Sequence, residues 1–120
     1  MTRILAVDDS PSMRDMVRIA LTGAGFEVTQ ATDGEEALKL AKEQSFDLIL
    51  SDVNMPRMDG IQLIRALRAE GSYRHTPILM LTTDGSVDRK REGKEAGATG
   101  WMVKPFDQAQ LIATMLRVLR

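Results

Sequence analysis

There is no cysteine in this 120-residue chain, so neither a disulfide framework nor a thiolate metal site can carry its fold or its chemistry. The single histidine, His75, falls in the polar stretch from Gly71 to Pro77 and reads as solvated. Charge of one sign is missing too. Sixteen basic and 17 acidic residues leave a formal charge of −1 and a pI near 5.8, without the basic footprint that nucleic acid or an anionic membrane would select. No apolar run is long enough to span a bilayer, and Met1-Thr-Arg leads straight into a short strand-like run, so a cytoplasmic location is expected. Neither repeats nor low-complexity segments occur. What is present, 43% apolar residues in 120, suffices for one core, and one domain is expected over residues 1–120.

The apolar residues switch period along the chain. Ile4 to Val7 is strand-like and ends at Asp8-Asp9-Ser10-Pro11, where Ser10 can cap a helix that begins on proline. Met13, Met16, Val17, Ala20 and Leu21 recur at helical spacing, and Gly23 and Gly25 close that helix. Phe26 to Gln30 alternates as a second strand. Asp33-Gly-Glu-Glu36 has capping-box spacing and opens a second helix through Ala37, Leu38, Leu40 and Ala41. Leu48-Ile49-Leu50 is a buried third strand with Asp52 just past its end, followed by a loop carrying Asn54, Pro56, Asp59 and Gly60. Asp59 is placed to cap a third helix, through Ile61, Leu63, Ile64 and Leu67, and Gly60 to allow a tight turn. Pro77 to Leu81 is a fourth strand, and Val87 to Ala96 a weak helix with almost no apolar stripe and Gly93 in its interior. Trp101 to Val103 is a short fifth strand, and Asp107 caps a last helix striped by Leu111, Ile112, Met115, Leu116 and Leu119. Five strands alternating with five helices predict a doubly wound α/β fold, a parallel sheet with helices on both faces.

In an open parallel sheet, ligands bind beyond the carboxyl ends of the strands, at the point where strand order reverses. Asp8 and Asp9 follow the first strand, Asp52 the third, Thr82 and Thr83 the fourth, and Lys104 the fifth. Three carboxylates brought together repel one another and one lysine offsets only one of them, so the site must raise their pKa values or recruit a divalent cation. Oxygen ligands favour Mg²⁺. A metal with open positions beside a cation and a hydroxyl suits the oxygens of a phosphoryl group, with Asp52 as the nucleophile.

Asp8-Asp9, the Asp52-to-Gly60 loop, Thr82 and Lys104-Pro105 together resemble the receiver domain of bacterial response regulators, over the whole chain and with the look of the single-domain chemotaxis members. The resemblance implies a flavodoxin-like sheet of strand order 2-1-3-4-5 and a chain that catalyses only its own phosphorylation and dephosphorylation. It implies that Asp52 accepts a phosphoryl group from a phosphohistidine on a sensor histidine kinase. Asp9, Asp52 and the main-chain carbonyl of Asn54 would bind Mg²⁺, Asp8 would hold a metal-bound water, and Lys104 would pair with the phosphoryl oxygens. Thr82 would move toward the phosphoryl group, with the aromatic residue of the fifth strand, here Trp101 where Tyr or Phe is usual, following it inward. The Lys104-Pro105 peptide would be cis, aiming the lysine. Asn54 and Asp84, two residues past Asp52 and Thr82, would tune water attack on the acyl phosphate, and their short polar side chains predict a short-lived phosphoryl group. A downstream protein would bind the face made by the fourth helix, fifth strand and last helix, the flagellar motor switch being the first candidate and a phosphatase a further partner. A monomer is expected.

Each residue alone has a plainer reading. Asp8 and Asp9 could be cap residues, Thr82 a strand-end turn residue, Lys104 a solvated charge and Trp101 a fixed core aromatic; the constellation is what raises them. The methionines read as core filler, with Met55 and Met58 in the loop as candidates to meet a partner. Other functions fit less well. A flavin or nucleotide carrier needs a Gly- or Ser/Thr-rich cradle after the first strand, where two aspartates stand. An aspartate-nucleophile phosphohydrolase usually has a second acid where this chain has Asn54, and a phosphorylation-independent scaffold would have lost part of the set. Within the family, a stand-alone receiver acting in a phosphorelay or another non-motility pathway is the alternative to chemotaxis.

Overall fold

A computed structural model of the chain describes residues 2–83 and 87–119. Five parallel strands, β1 (Arg3–Val7), β2 (Glu27–Ala31), β3 (Leu48–Asp52), β4 (Ile78–Thr82) and β5 (Gly100–Val103), form one sheet in the order β2-β1-β3-β4-β5. Between and after them run α1 (Pro11–Gly23), α2 (Gly34–Glu43), α3 (Gly60–Ala69), α4 (Val87–Ala96) and α5 (Gln108–Val118), with a 3-10 turn at Gly71–Tyr73 that the sequence pattern did not reveal. This is the flavodoxin-like arrangement. Alternation along each strand divides the core into two halves. Leu5, Val7, Ile49, Ile78 and Met80 point to the side covered by α2 and α3, with Ala96 of α4. Ile4, Ala6, Leu48, Leu50, Leu79 and Leu81 point to the side where α1 supplies Val17 and Leu21, and α5 supplies Leu111 and Met115.

The helix starts follow from side-chain caps. Ser10 accepts from the Met13 amide and Pro11 opens α1, while Asp59 and Asp107 form reciprocal capping boxes with Gln62 and Gln110. At α2, Asp33 accepts from Glu36 N, but the Glu36 carboxylate reaches one residue further back, to Thr32 N at 2.9 Å. Two strand starts fall one residue later than the periodicity suggests. Phe26 N is held by Leu21 O in the turn that closes α1, and Pro77, with no amide proton, contributes only its carbonyl, to Ile49 N.

Two glycines are fixed by space rather than by turn geometry. Gly60 is the first residue of α3, and a methyl group there would overlap the Asp52 carbonyl oxygen and lie 2.7 Å from Met80 Cε, which replaces the expected tight-turn role. Gly93 in α4 faces the indole of Trp101, whose Cζ3 would lie 2.6 Å from an added Cβ. That glycine leaves room for the Trp101 side chain beneath α4. As the sequence pattern suggests, α4 carries no apolar stripe; its buried residues are Gly93, against the Trp101 indole, and Ala96.

Candidate functional site at the carboxyl edge of the sheet

Strand order reverses between β1 and β3, because β1 has β2 on one side and β3 on the other. The side chains leaving the carboxyl ends of these two strands therefore share one crevice. Asp8 follows Val7 and remains tied to the sheet through its amide, which donates to Ala31 O. Asp52 is itself the last residue of β3, paired in register with Leu81, rather than the first residue beyond the strand. Carboxylate oxygens of Asp8, Asp9 and Asp52 all lie within 4.8 Å of one another, Asp8 and Asp52 being buried and Asp9 exposed. Such a set of hard oxygen donors, partly open to solvent, fits a divalent cation of the Mg²⁺ kind.

The buried pair is held from several sides. Asp8 Oδ1 accepts from Ser10 N at 2.9 Å and its Oδ2 accepts from Lys104 Nζ at 2.9 Å. Lys104 Nζ also lies 3.6 Å from Asp52 Oδ1, which in turn accepts from Val53 N at 2.9 Å. Burial pushes the Asp52 carboxyl up to about 6 from 3.8; the Asp8 charge adds to this, Lys104 and the Val53 amide oppose it, and Asp9 adds a little more. One ammonium is thus shared between two carboxylates and does not neutralise the cluster.

Thr82 closes β4, fully buried, and its carbonyl accepts from Lys104 N at 2.7 Å, so the two residues are joined through the backbone. The Lys104–Pro105 peptide is cis. Trp101 lies on β5 opposite Met80, partly buried, and its Nε1 is the one buried polar side-chain atom without a hydrogen-bond partner among the described residues. Asn54 is exposed in the loop after β3, where Arg89 of α4 reaches its Oδ1 at 3.4 Å. Asp84 lies outside the described residues.

Some placements differ from expectation. Met55 is buried in the core beside α3 and does not stand free to meet a partner, whereas Met58 packs against the first turn of α2 and stays partly exposed. The reason is the loop's inward course, which uses their flexible side chains to fill space between two helices. Sequence reasoning missed three residues that shape the site's surroundings. Arg57 has φ of 67° and pairs with the buried Asp33, Gly34 admits Met58, and Arg68 gathers carbonyls from two loops. Only the Pro-Arg-Met-Asp-Gly turn sequence hints at the first of these.

Residues 4–116 match the response regulator receiver domain. The chain belongs to that family. It superposes on chemotaxis response regulator CheY4 of Vibrio cholerae with a TM-score of 0.96 and 53% identity, covering 98% of each chain. The receiver domain of sensor histidine kinase PA1611 from Pseudomonas aeruginosa, a structure with a magnesium ion coordinated in its active-site cleft, matches with a TM-score of 0.92 and 31% identity over 98% of this chain and 97% of that one. RpaA, a DNA-binding dual master transcriptional regulator of Synechocystis, is 38% identical over all 120 residues, and this receiver spans half its length. Receiver domains of this family work in two-component signalling, interacting with histidine kinases and with downstream targets. No helix among the described residues is long and apolar enough to cross a membrane.

Proposed function

We propose that this receiver is a Mg²⁺-dependent phosphoacceptor, with Asp52 as the nucleophile. The observation that carries this reading is the convergence of Asp8, Asp9 and Asp52 on one another beside Lys104, with Asp52 held near a pKa of 6. Asp9, Asp52 and the Asn54 carbonyl would hold the metal directly and Asp8 through water; bound there, the ion would offset charge on the carboxylates and on phosphoryl oxygens. Asp52, ionised, has an oxygen free to attack phosphorus. The new O–P bond forms as the N–P bond of a phosphohistidine breaks, and the departing imidazole keeps the electron pair and takes up a proton. Lys104 lies where it can leave Asp8 for a phosphoryl oxygen, and Thr82 supplies a hydroxyl at the end of the neighbouring strand. Asn54 and Asp84 tune later attack by water.

The output is a change in the face made by α4, β5 and α5, read by a downstream protein. Likeness to CheY4 supports chemotaxis, with a flagellar motor switch as target and a phosphatase as a further partner; likeness to RpaA supports a non-motility pathway as the second reading. Capture of the motor-switch protein by the beryllofluoride adduct, and not by the untreated chain, supports the first; no difference between the two forms counts against it.

The chemistry has a direct test. Acetyl phosphate in Mg²⁺ should add one phosphoryl group by intact-mass measurement, and Asp52→Asn or a chelator should abolish it. Labelling of Asp52→Asn to the native extent would overturn the assignment.

A further inference from the structure

The loop between β3 and α3 is closed like a ring. Its first residue, Val53, donates to Leu81 O and to Asp52 Oδ1, and accepts at its carbonyl from Gly60 N at 2.8 Å, so both ends are pinned to the sheet. Between those ends, Met58 N donates to Pro56 O at 2.8 Å, a three-residue turn centred on Arg57 at φ 67°. A side chain larger than glycine rarely adopts this conformation, and it persists only where the surroundings impose it. Two contacts impose it here. Gly34, the first residue of α2, leaves room for Met58, whose Cγ would lie 2.8 Å from a Cβ at that position. The Arg57 guanidinium meets Asp33 Oδ2 at 3.0 Å, while Asp33 Oδ1 caps the Glu36 amide.

The ion pair is unlike the surface pairs elsewhere in the molecule. The Arg57 side chain is 66% exposed, but that of Asp33 is only 8% exposed, with both of its oxygens engaged. Asn54 lies between the pinned start of the ring and the strained turn, and its own side chain is exposed. Where its carbonyl lies is thus set by how the ring is closed.

We propose that Arg57 is a positioning residue for the metal: by clasping the β3–α3 loop to the buried Asp33 at the start of α2, it holds the Asn54 carbonyl at the carboxylate cluster. The proposal rests on the Mg²⁺ reading above and adds a residue to it. Arg57 touches no reacting atom, and it acts by lowering the cost of ordering one ligand before the ion arrives.

Calorimetric titration of the whole chain with Mg²⁺ tests this without any phosphodonor. Arg57→Gly removes the clasp yet suits the left-handed backbone, and Asp33→Asn keeps the cap acceptor while removing the charge. Each should weaken Mg²⁺ binding roughly three- to tenfold, Arg57→Lys should recover most of the loss, and combining Arg57→Gly with Asp33→Asn should add nothing to either alone. Thermal midpoints measured alongside separate this from a merely structural pair, which would lower the midpoint and leave the Mg²⁺ dissociation constant alone. Affinity within twofold of native in both single variants overturns the clasp while leaving the metal site standing. Absence of Mg²⁺ binding by the native chain overturns both.

Discussion

Trp101 stands on β5 in an under-satisfied local environment, its indole N–H buried without a partner. An indole N–H buried without an acceptor costs about 1–3 kcal/mol relative to one that finds a partner. The ring is tolerated in its position because Gly93 has no side chain. A displacement of the ring that gives its N–H an acceptor would recover that cost, and a shift in Thr82 at the neighbouring strand end would bias the ring toward it. Because Trp101 is the only tryptophan, its emission reports on it alone. A saturating beryllofluoride adduct at Asp52 should change the emission maximum and quencher access, and Thr82→Ala should weaken that change. An unaltered spectrum in the native protein would make Trp101 a fixed core aromatic. Residue by residue, the carboxylates, Lys104 and the three aspartate caps were legible in the sequence because each closes a recognisable strand or opens a recognisable helix. The Gly93–Trp101 contact was not, since it joins residues on different elements and depends on how near two backbones approach. Arg57 escaped for a similar reason: the turn was visible, but its partner Asp33 belongs to the previous helix cap.

Among the elements, α4 is the one whose sequence explains least of its placement. Its charged residues Arg89, Arg91 and Glu92 are spent on i,i+3 pairs within the helix or on Asn54, and Gly93 and Ala96 supply its buried face. Arg68 of α3 compensates from outside. Its guanidinium donates to the carbonyls of Tyr73, Thr76 and Gly97, the last of these at 2.7 Å just past the end of α4. The helix is thus tied at its C-terminal end and by one glycine, and amides in its first two turns should exchange faster than those of α1 in the free protein. Gly93→Ala sharpens the point. In an exposed helix this change stabilises by about 1 kcal/mol; here the new methyl meets the indole at 2.6 Å, so the variant should be destabilised and its Trp101 emission displaced. Stabilisation with an unchanged spectrum would show that α4 does not rest on Trp101. The boundaries of α4 were legible because Gly97, at φ 115°, ends it as a glycine should. Its manner of attachment was not, because an apolar stripe is the only signal of docking that periodicity offers.

At the scale of the whole molecule, the fold concentrates its electrostatic conflict at one edge of the sheet and leaves the remaining charges scattered and mostly exposed. That edge sets a measurable pH dependence for the metal-free protein. The folded Asp52 carboxyl titrates near 6, against 3.8 when unperturbed. Between those values the folded chain keeps a proton that the unfolded chain has released, so this group's contribution to stability falls as pH rises from about 4 to about 6. The ionised form above pH 6 is the less stable one, by up to about 3 kcal/mol if the whole shift is expressed. Urea unfolding in chelator, comparing native protein with Asp52→Asn, isolates this group from the other carboxylates. The variant should be the more stable of the two at pH 7.5, and the gap should shrink toward pH 4. Mg²⁺ should narrow the gap at pH 7.5 as well, because an ion bound only by the folded native site stabilises it increasingly as its concentration rises above the dissociation constant. A native protein as stable as Asp52→Asn at pH 7.5 in chelator would mean that Lys104 and the Val53 amide already neutralise the buried carboxylate, and the conflict that calls for a cation would be absent.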